Sequence, residues 1–167
     1  ASNTINALTS RKLVGSYEVP AGIVALAGND IVLDINTATS PLPCWWNFTV
    51  SPRTTGFSMN FIDPGGCAFD YWGSIGTPSG GPGTRLIPGV PNRMRIVGVV
   101  AISALSAAPV ADAQEIYSFT LTIKATATLG TCTGCLDPAC FRLNLIRVTQ
   151  VNAPFVELTE PTAPGSE

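Results

Sequence analysis

The chain has 167 residues, 9 basic and 11 acidic side chains, no histidine and a formal charge of −2, so it has no electrostatic attraction for nucleic acid or an anionic membrane. Only 12% of its residues are charged, against roughly a quarter in ordinary globular domains, while 46% are hydrophobic. Thr, Ser, Asn, Gly and Pro fill the difference, a mixture that argues against a helical bundle or a cytosolic enzyme and suits short strands joined by tight turns.

From the amino end, Ser2-Asn-Thr-Ile-Asn-Ala-Leu-Thr9 is uncharged and β-prone, so residues 1–10 are expected to be an edge strand or one exchanged with a neighbouring copy. The chain opens at Ala1 without Met, as a mature secreted protein would after leader removal. Leu13, Tyr17 and Val19 then oppose Ser16 and Glu18, and Ile31, Leu33 and Ile35 alternate with Val32 and Asp34. Phe57, Met59 and Phe61 alternate with Ser58 and Asn60. A period of two with one apolar side is the mark of a strand with one face in a core.

Residues 73–91 hold many of the glycines and prolines and are expected to form a long loop, functional or mobile. In residues 93–102, Met94 and Ile96 point inward and the phase is lost after Gly98, which predicts a β-bulge at that glycine. The Ala-rich stretch 102–113 is interrupted by Pro109 and has room for a turn or two of helix. Residues 115–126 give the clearest alternation: Tyr117, Phe119, Leu121, Ile123 and Ala125 on one face, Ser118, Thr120, Thr122, Lys124 and Thr126 on the other. That pattern predicts a half-buried antiparallel strand. After Phe141, Leu143 and Leu145 the parity slips, with Ile146 and Val148 continuing on the other side. Residues 151–158 add a last strand that Pro154 confines to an edge, and 159–167 form an extended tail. The whole predicts one all-β domain over residues 1–158, an antiparallel two-sheet sandwich of jelly-roll type stapled by disulfides. No apolar run approaches the roughly 20 residues needed to span a bilayer.

Three of the five cysteines stand in Cys132-Thr-Gly-Cys135-Leu-Asp-Pro-Ala-Cys140. With Cys44 or Cys67 as a fourth thiolate they could hold zinc or an iron–sulfur cluster, but a four-cysteine zinc site usually brings two paired knuckles and only one is present. A redox Cys-x-x-Cys needs a helix N-terminus in a βαβ setting, and no such pattern surrounds it. Structural bridges fit better, and they imply an oxidising compartment. Cys44 and Cys67 bracket the Phe57–Phe61 strand, and pairing them would close a loop worth on the order of 3 kcal/mol. Cys132 would join Cys140, because a disulfide across Cys-x-x-Cys is strained, and Cys135 would remain as a free or intermolecular thiol.

Trp45 and Trp46 lie beside Cys44, and Tyr71 and Trp72 follow Cys67 and Phe69. Such rings stack on sugar faces or on another subunit when exposed, and pack on disulfides when buried. Acidic residues are scattered with no pair marked for glycoside hydrolysis, and without histidine the usual serine or cysteine triad is unavailable. No catalytic residue, metal or cofactor is therefore expected. Asn47-Phe-Thr49 is a glycosylation sequon.

Several strings together resemble a group of uncharacterised secreted bacterial proteins with a single β-rich domain. They are Leu13-Val-Gly-Ser-Tyr17 with Pro20, Gly28-Asn-Asp-Ile-Val-Leu-Asp34, Leu42-Pro-Cys-Trp-Trp-Asn-Phe48, Ser58-Met-Asn60, Glu115-Ile-Tyr-Ser-Phe119, and the cysteine cluster with Asn144 after it. The resemblance runs roughly from Leu13 to Val148 and implies secretion and a β-sandwich, with no catalytic residue to transfer. That group tends to carry a cysteine just after the double tryptophan, where this chain has Cys44 just before it, and a longer N-terminal region with cysteines of its own. The disulfide connectivity therefore stays open.

Two functions follow as expectations. The first is a secreted structural subunit that assembles with its own copies into an extracellular filament or surface layer by terminal strand addition, helped by a neutral surface and an odd cysteine. The second is a non-catalytic polysaccharide-binding or adhesive module using Trp45, Trp46, Tyr71 and Trp72.

Overall fold

In the computed structural model, which describes residues 10–63, 65–66, 68–75, 78–125 and 132–159, eight strands form two antiparallel sheets. The small sheet joins β1 (Ser10–Glu18), β6 (Glu115–Lys124) and β3 (Phe57–Asn60), in the order β1-β6-β3. The large sheet runs β4 (Ser79–Leu86), β5 (Arg93–Ala101), β2 (Leu26–Thr37), β7 (Ala139–Gln150) and β8 (Val156–Leu158). Ile31, Leu33 and Ile35 of β2, Met94 and Ile96 of β5 and Leu121 of β6 are at most 1% exposed and fill the space between the layers. Met59 of the small sheet lies against Gly98 of the large one so closely that a Cβ at Gly98 would strike its sulfur. Gly98 is therefore a packing glycine, and the sheets can approach there because it lacks a side chain. No helix among the described residues is long and apolar enough to cross a membrane.

That contact corrects the bulge expected at Gly98. β5 pairs with β2 without interruption from Gly28↔Ala101 to Asn36↔Arg93, and Val100 keeps the inward parity of Met94 and Ile96. The phase blurs in the sequence because Val97 and Val99 are apolar residues on the outer face. The parity slip in β7 is a true bulge, but it falls before Leu145 instead of after it: Val32 faces Leu145 while Leu33 faces Leu143, which leaves Asn144 as the extra residue and puts Leu145 on the outer face.

A second correction concerns residues 73–91, which are not one long loop. Tyr71–Ser74 is a single helical turn capped by Asp70, whose Oδ1 accepts the Gly73 amide at 2.9 Å. Ser79–Leu86 then pairs with β5 as an edge strand. Pro82 and the neighbouring glycines look like loop residues, but an edge strand uses only one side of its backbone and tolerates them. Gly80, at φ +154, sits where any Cβ would run into the Val99 carbonyl, so glycine is required for the strand to lie flat.

β6 follows its predicted span but is buried on both faces, since Ser118 and Thr120 are 0% and 3% exposed. Its register shifts where Gly15 faces Phe119 and Ser16 faces Tyr117, so Ser118 is the bulged residue. The bulge puts Tyr117 and Thr120 on one side, where their hydroxyls meet at 2.9 Å and Tyr117 donates to the Asn60 carbonyl. Residues 102–113 form turns instead of a helix, with one bridge from Ala108 to Leu26. The expectations for Ser2–Thr9, Thr126, Cys67 and residues 160–167 lie outside the described residues.

Two tyrosines tie the frame together. Tyr17 donates to Asn29 Oδ1 at 2.9 Å across the sheets. Tyr71 donates to the Leu26 carbonyl at 2.6 Å and accepts the Ala108 amide at 2.9 Å. Burial pushes both phenols up from their ordinary value near 10. In the unfolded chain they ionise near pH 10, whereas the folded state holds their protons, so stability falls as pH rises above about 10. We expect the 295 nm phenolate absorbance of Tyr17 and Tyr71 to appear together with the loss of tertiary structure in an alkaline titration. Full ionisation of both in still-folded protein would contradict this packing.

Candidate functional site

Among the described residues, the cysteines gather at one end of the β2–β7 pair. Thr37 of β2 faces Ala139 of β7, and Cys44 follows Thr37 by as many residues as Cys132 precedes Ala139. Two antiparallel neighbours thus bring these cysteines together, and they form a disulfide with Cα atoms 5.1 Å apart, within ordinary bridge geometry. The pairings Cys44–Cys67 and Cys132–Cys140 expected from proximity in sequence do not form. Spacing along the chain favours short loops, but strand adjacency decided the outcome and linked residues 88 apart. Because Cys132 is committed to this bridge, it cannot serve as a thiolate of a zinc or iron–sulfur set.

The bridge is the centre of a wider clamp. Cys44–Trp46 is a 3-10 turn, and the Trp45 amide donates to the Thr133 carbonyl at 3.0 Å. Trp46 Nε1 donates to the Asp137 carbonyl at 2.9 Å, and its ring meets Phe141 edge-on at 5.9 Å. Gly134, at φ +97, packs where a Cβ would collide with Pro43. The cysteine-rich turn is therefore fastened to the tryptophan turn by one covalent link, two hydrogen bonds and close packing.

Beneath it lies a functional-looking residue that the sequence pattern does not mark. Arg53 is 0% exposed and stacks over Trp45 at 4.0 Å and over Phe48 at 5.1 Å. Its Nε donates to the Trp45 carbonyl at 2.9 Å and Nη1 to the Lys124 carbonyl at 3.0 Å, while Nη2 has no partner among the described residues. No carboxylate pairs with it among the described residues. Burial pushes its pKa down to about 10, so it keeps its charge at neutral pH. Ser51-Pro-Arg-Thr-Thr-Gly56 gives no signal of this role, because a turn arginine is ordinarily solvated.

The predicted aromatic contacts are corrected as well. Trp45, Trp46, Tyr71 and Trp72 are 1%, 3%, 2% and 0% exposed, and none offers a face to a ligand or a subunit. Each sits in a short helical turn, which rolls adjacent rings inward instead of placing them on alternate sides as a strand would. Asn47 of the sequon is half-buried, and its Oδ1 accepts from the Thr49 amide and hydroxyl at 3.1 and 2.6 Å.

Two thiols remain among the described residues: Cys135, half-buried in the turn, and Cys140, exposed at the start of β7. Iodoacetamide is expected to alkylate Cys140 several-fold faster than Cys135, read by peptide mass spectrometry on native protein. Faster labelling of Cys135 would contradict this placement. The described residues contain no group of three or more Cys, Asp or Glu side chains able to hold a metal ion.

One more feature borders this corner. β8 pairs only with Ile146–Val148 of β7, so from Cys140 to Leu145 the outer edge of β7 carries no strand among the described residues. Comparison of the chain with protein families, with curated proteins and with solved structures found no match in any of the three.

Proposed function

We propose that this protein is a secreted structural subunit that assembles with copies of itself into an extracellular filament or surface layer by adding strands to open sheet edges. The observation that carries this reading is the Cys140–Leu145 half of β7, whose outer edge has no neighbouring strand among the described residues. An exposed row of backbone donors and acceptors is a template for another chain, and monomeric proteins ordinarily blunt such rows. The other edges are treated in that way. β3 and β8 have only four and three residues, and β4 is broken by Pro82 and glycines. β1 carries Arg11 and Lys12. The Cys140–Leu145 edge carries no strand among the described residues and lies beside a corner fixed by a disulfide, which gives it a rigid support. The uncharged, β-prone Ser2–Thr9 segment of a second copy supplies a strand of suitable length.

A disulfide fits an oxidising compartment and supports secretion. The four rings on which a sugar-binding module would depend are buried, which favours assembly over that alternative. The test is negative-stain microscopy and sedimentation of the full chain beside a variant lacking residues 1–9. We expect ordered polymers from the full chain and monomers from the variant, and a synthetic Ser2–Thr9 peptide should cap polymer growth. A full chain that stays monodisperse and monomeric at high concentration would overturn the proposal.

A further inference from the structure

The outer face of the large sheet gathers charge that composition hides. Arg85, Arg95, Asp34 and Arg142 stand directly opposite one another across β4, β5, β2 and β7. Arg93 and Asn36 lie on the same face, as do Asp30, Arg147 and Glu157 in another row. Five of the nine basic residues thus occupy one face against three carboxylates, in a chain whose net charge is −2. Two of those carboxylates lie in close ion pairs. Arg95 grips buried Asp34 at 2.7 and 3.0 Å, and Arg147 holds Glu157 at 2.8 Å with Asp30 at 3.5 Å. Arg93 donates to Asn36 Oδ1, a neutral acceptor. Arg85 and Arg142 are exposed and meet no carboxylate among the described residues. The face therefore presents guanidinium groups open to bidentate contact with carboxylates.

The complementary surface is on the other sheet. Glu18 of β1 faces Glu115 of β6 directly, an arrangement that costs stability in an isolated sheet. Asp112 joins them in the adjoining turn, where it accepts the Gly22 amide at 3.2 Å. All three are exposed, and no basic side chain pairs with them among the described residues. A patch and its complement at different places on one chain make a head-to-tail contact, which propagates instead of closing on itself.

We propose that the arginine face of the large sheet docks on the Glu18–Asp112–Glu115 corner of a second copy, setting the direction and register in which subunits add. This rests on the self-assembly reading and names the surfaces that meet. The arginine face reaches the open edge of β7 through Arg142, so electrostatic docking and strand addition act on adjoining surfaces. Charge complementarity of this kind governs partner choice and association rate and weakens with salt.

The experiment uses two charge-reversed full-length chains, Arg85→Glu/Arg142→Glu and Glu18→Lys/Glu115→Lys, with circular dichroism and melting curves as controls for folding. Wild type should polymerise readily at low salt and poorly at high salt. Each variant alone should need on the order of tenfold or more protein to polymerise. An equimolar mixture should recover near wild-type assembly, since the reversed face of one now meets the reversed corner of the other. If both variants polymerise like wild type, this contact is wrong and the self-assembly reading stands. If wild type never assembles, the assembly reading fails and this contact with it. A monomeric wild type retained on an acidic polysaccharide column through Arg85 and Arg142 would give the face to another partner and overturn the proposal.

Discussion

Replacing Cys44 and Cys132 together by alanine should cost about 4–5 kcal/mol, because the bridge closes a loop of 88 residues and its main effect is on the unfolded chain. That is a large share of the roughly 5–15 kcal/mol typical of a domain. For a chain of this size it corresponds to a fall in melting temperature of roughly 10–20 °C, read by calorimetry or circular dichroism. The loss should also be felt locally. Without the covalent link, the Trp45 amide, Trp46 Nε1 and Gly134 contacts must hold the cysteine-rich turn alone. Trp46 fluorescence is then expected to shift to the red before global unfolding. A non-reducing peptide map of the wild-type chain should join the Cys44 and Cys132 peptides, whereas a Cys44–Cys67 peptide would contradict this bridge.

Truncation of Arg53 should have the next largest effect. Arg53→Ala removes the guanidinium from between Trp45 and Phe48, leaves the Trp45 and Lys124 carbonyls without their donors, and opens a cavity. We expect a loss of about 3–5 kcal/mol. Arg53→Met keeps a stem of similar length and removes a buried charge that no carboxylate among the described residues balances, so about 1–2 kcal/mol should be lost. A loss below about 1 kcal/mol for the alanine variant would mean that the side chain is not enclosed as described.

The pH dependence separates charge from shape. Burial lowers the pKa of Arg53 from its ordinary value to about 10, so the folded state disfavours the charged form. The penalty is present in full below about pH 10 and shrinks as pH rises from there towards the ordinary arginine value, because the folded protein releases the proton first. Tyr17 and Tyr71 act in the opposite direction over the same range. The contribution of Arg53 is therefore read as the stability difference between wild type and Arg53→Met. That difference should move in favour of wild type as pH rises above about 10.

The arginine face was partly legible. Arg93 and Arg95 alternate with Met94 and Ile96, and that alternation alone assigns them to the outer side of a strand. Arg85 was hidden in a segment that reads as loop, and Arg142 aligns with it only through four-strand register. The acidic corner was not legible either, because Glu18 and Glu115 are far apart in sequence and meet only through the β1–β6 pairing.

What the sequence determined by itself was the all-β class, the approximate spans of β3, β5 and β6, the middle of β1 and β2 and the existence of a parity slip in β7, because side-chain alternation and local backbone preference are written residue by residue. Tertiary structure alone decided which cysteine met which, that the four rings turned inward, that Arg53 lay buried between two aromatic rings, and that a Gly/Pro-rich stretch could lie along a sheet edge. Each of these depends on which strands become neighbours. That choice is made by burial summed over both sheets, a quantity that no local window of residues contains.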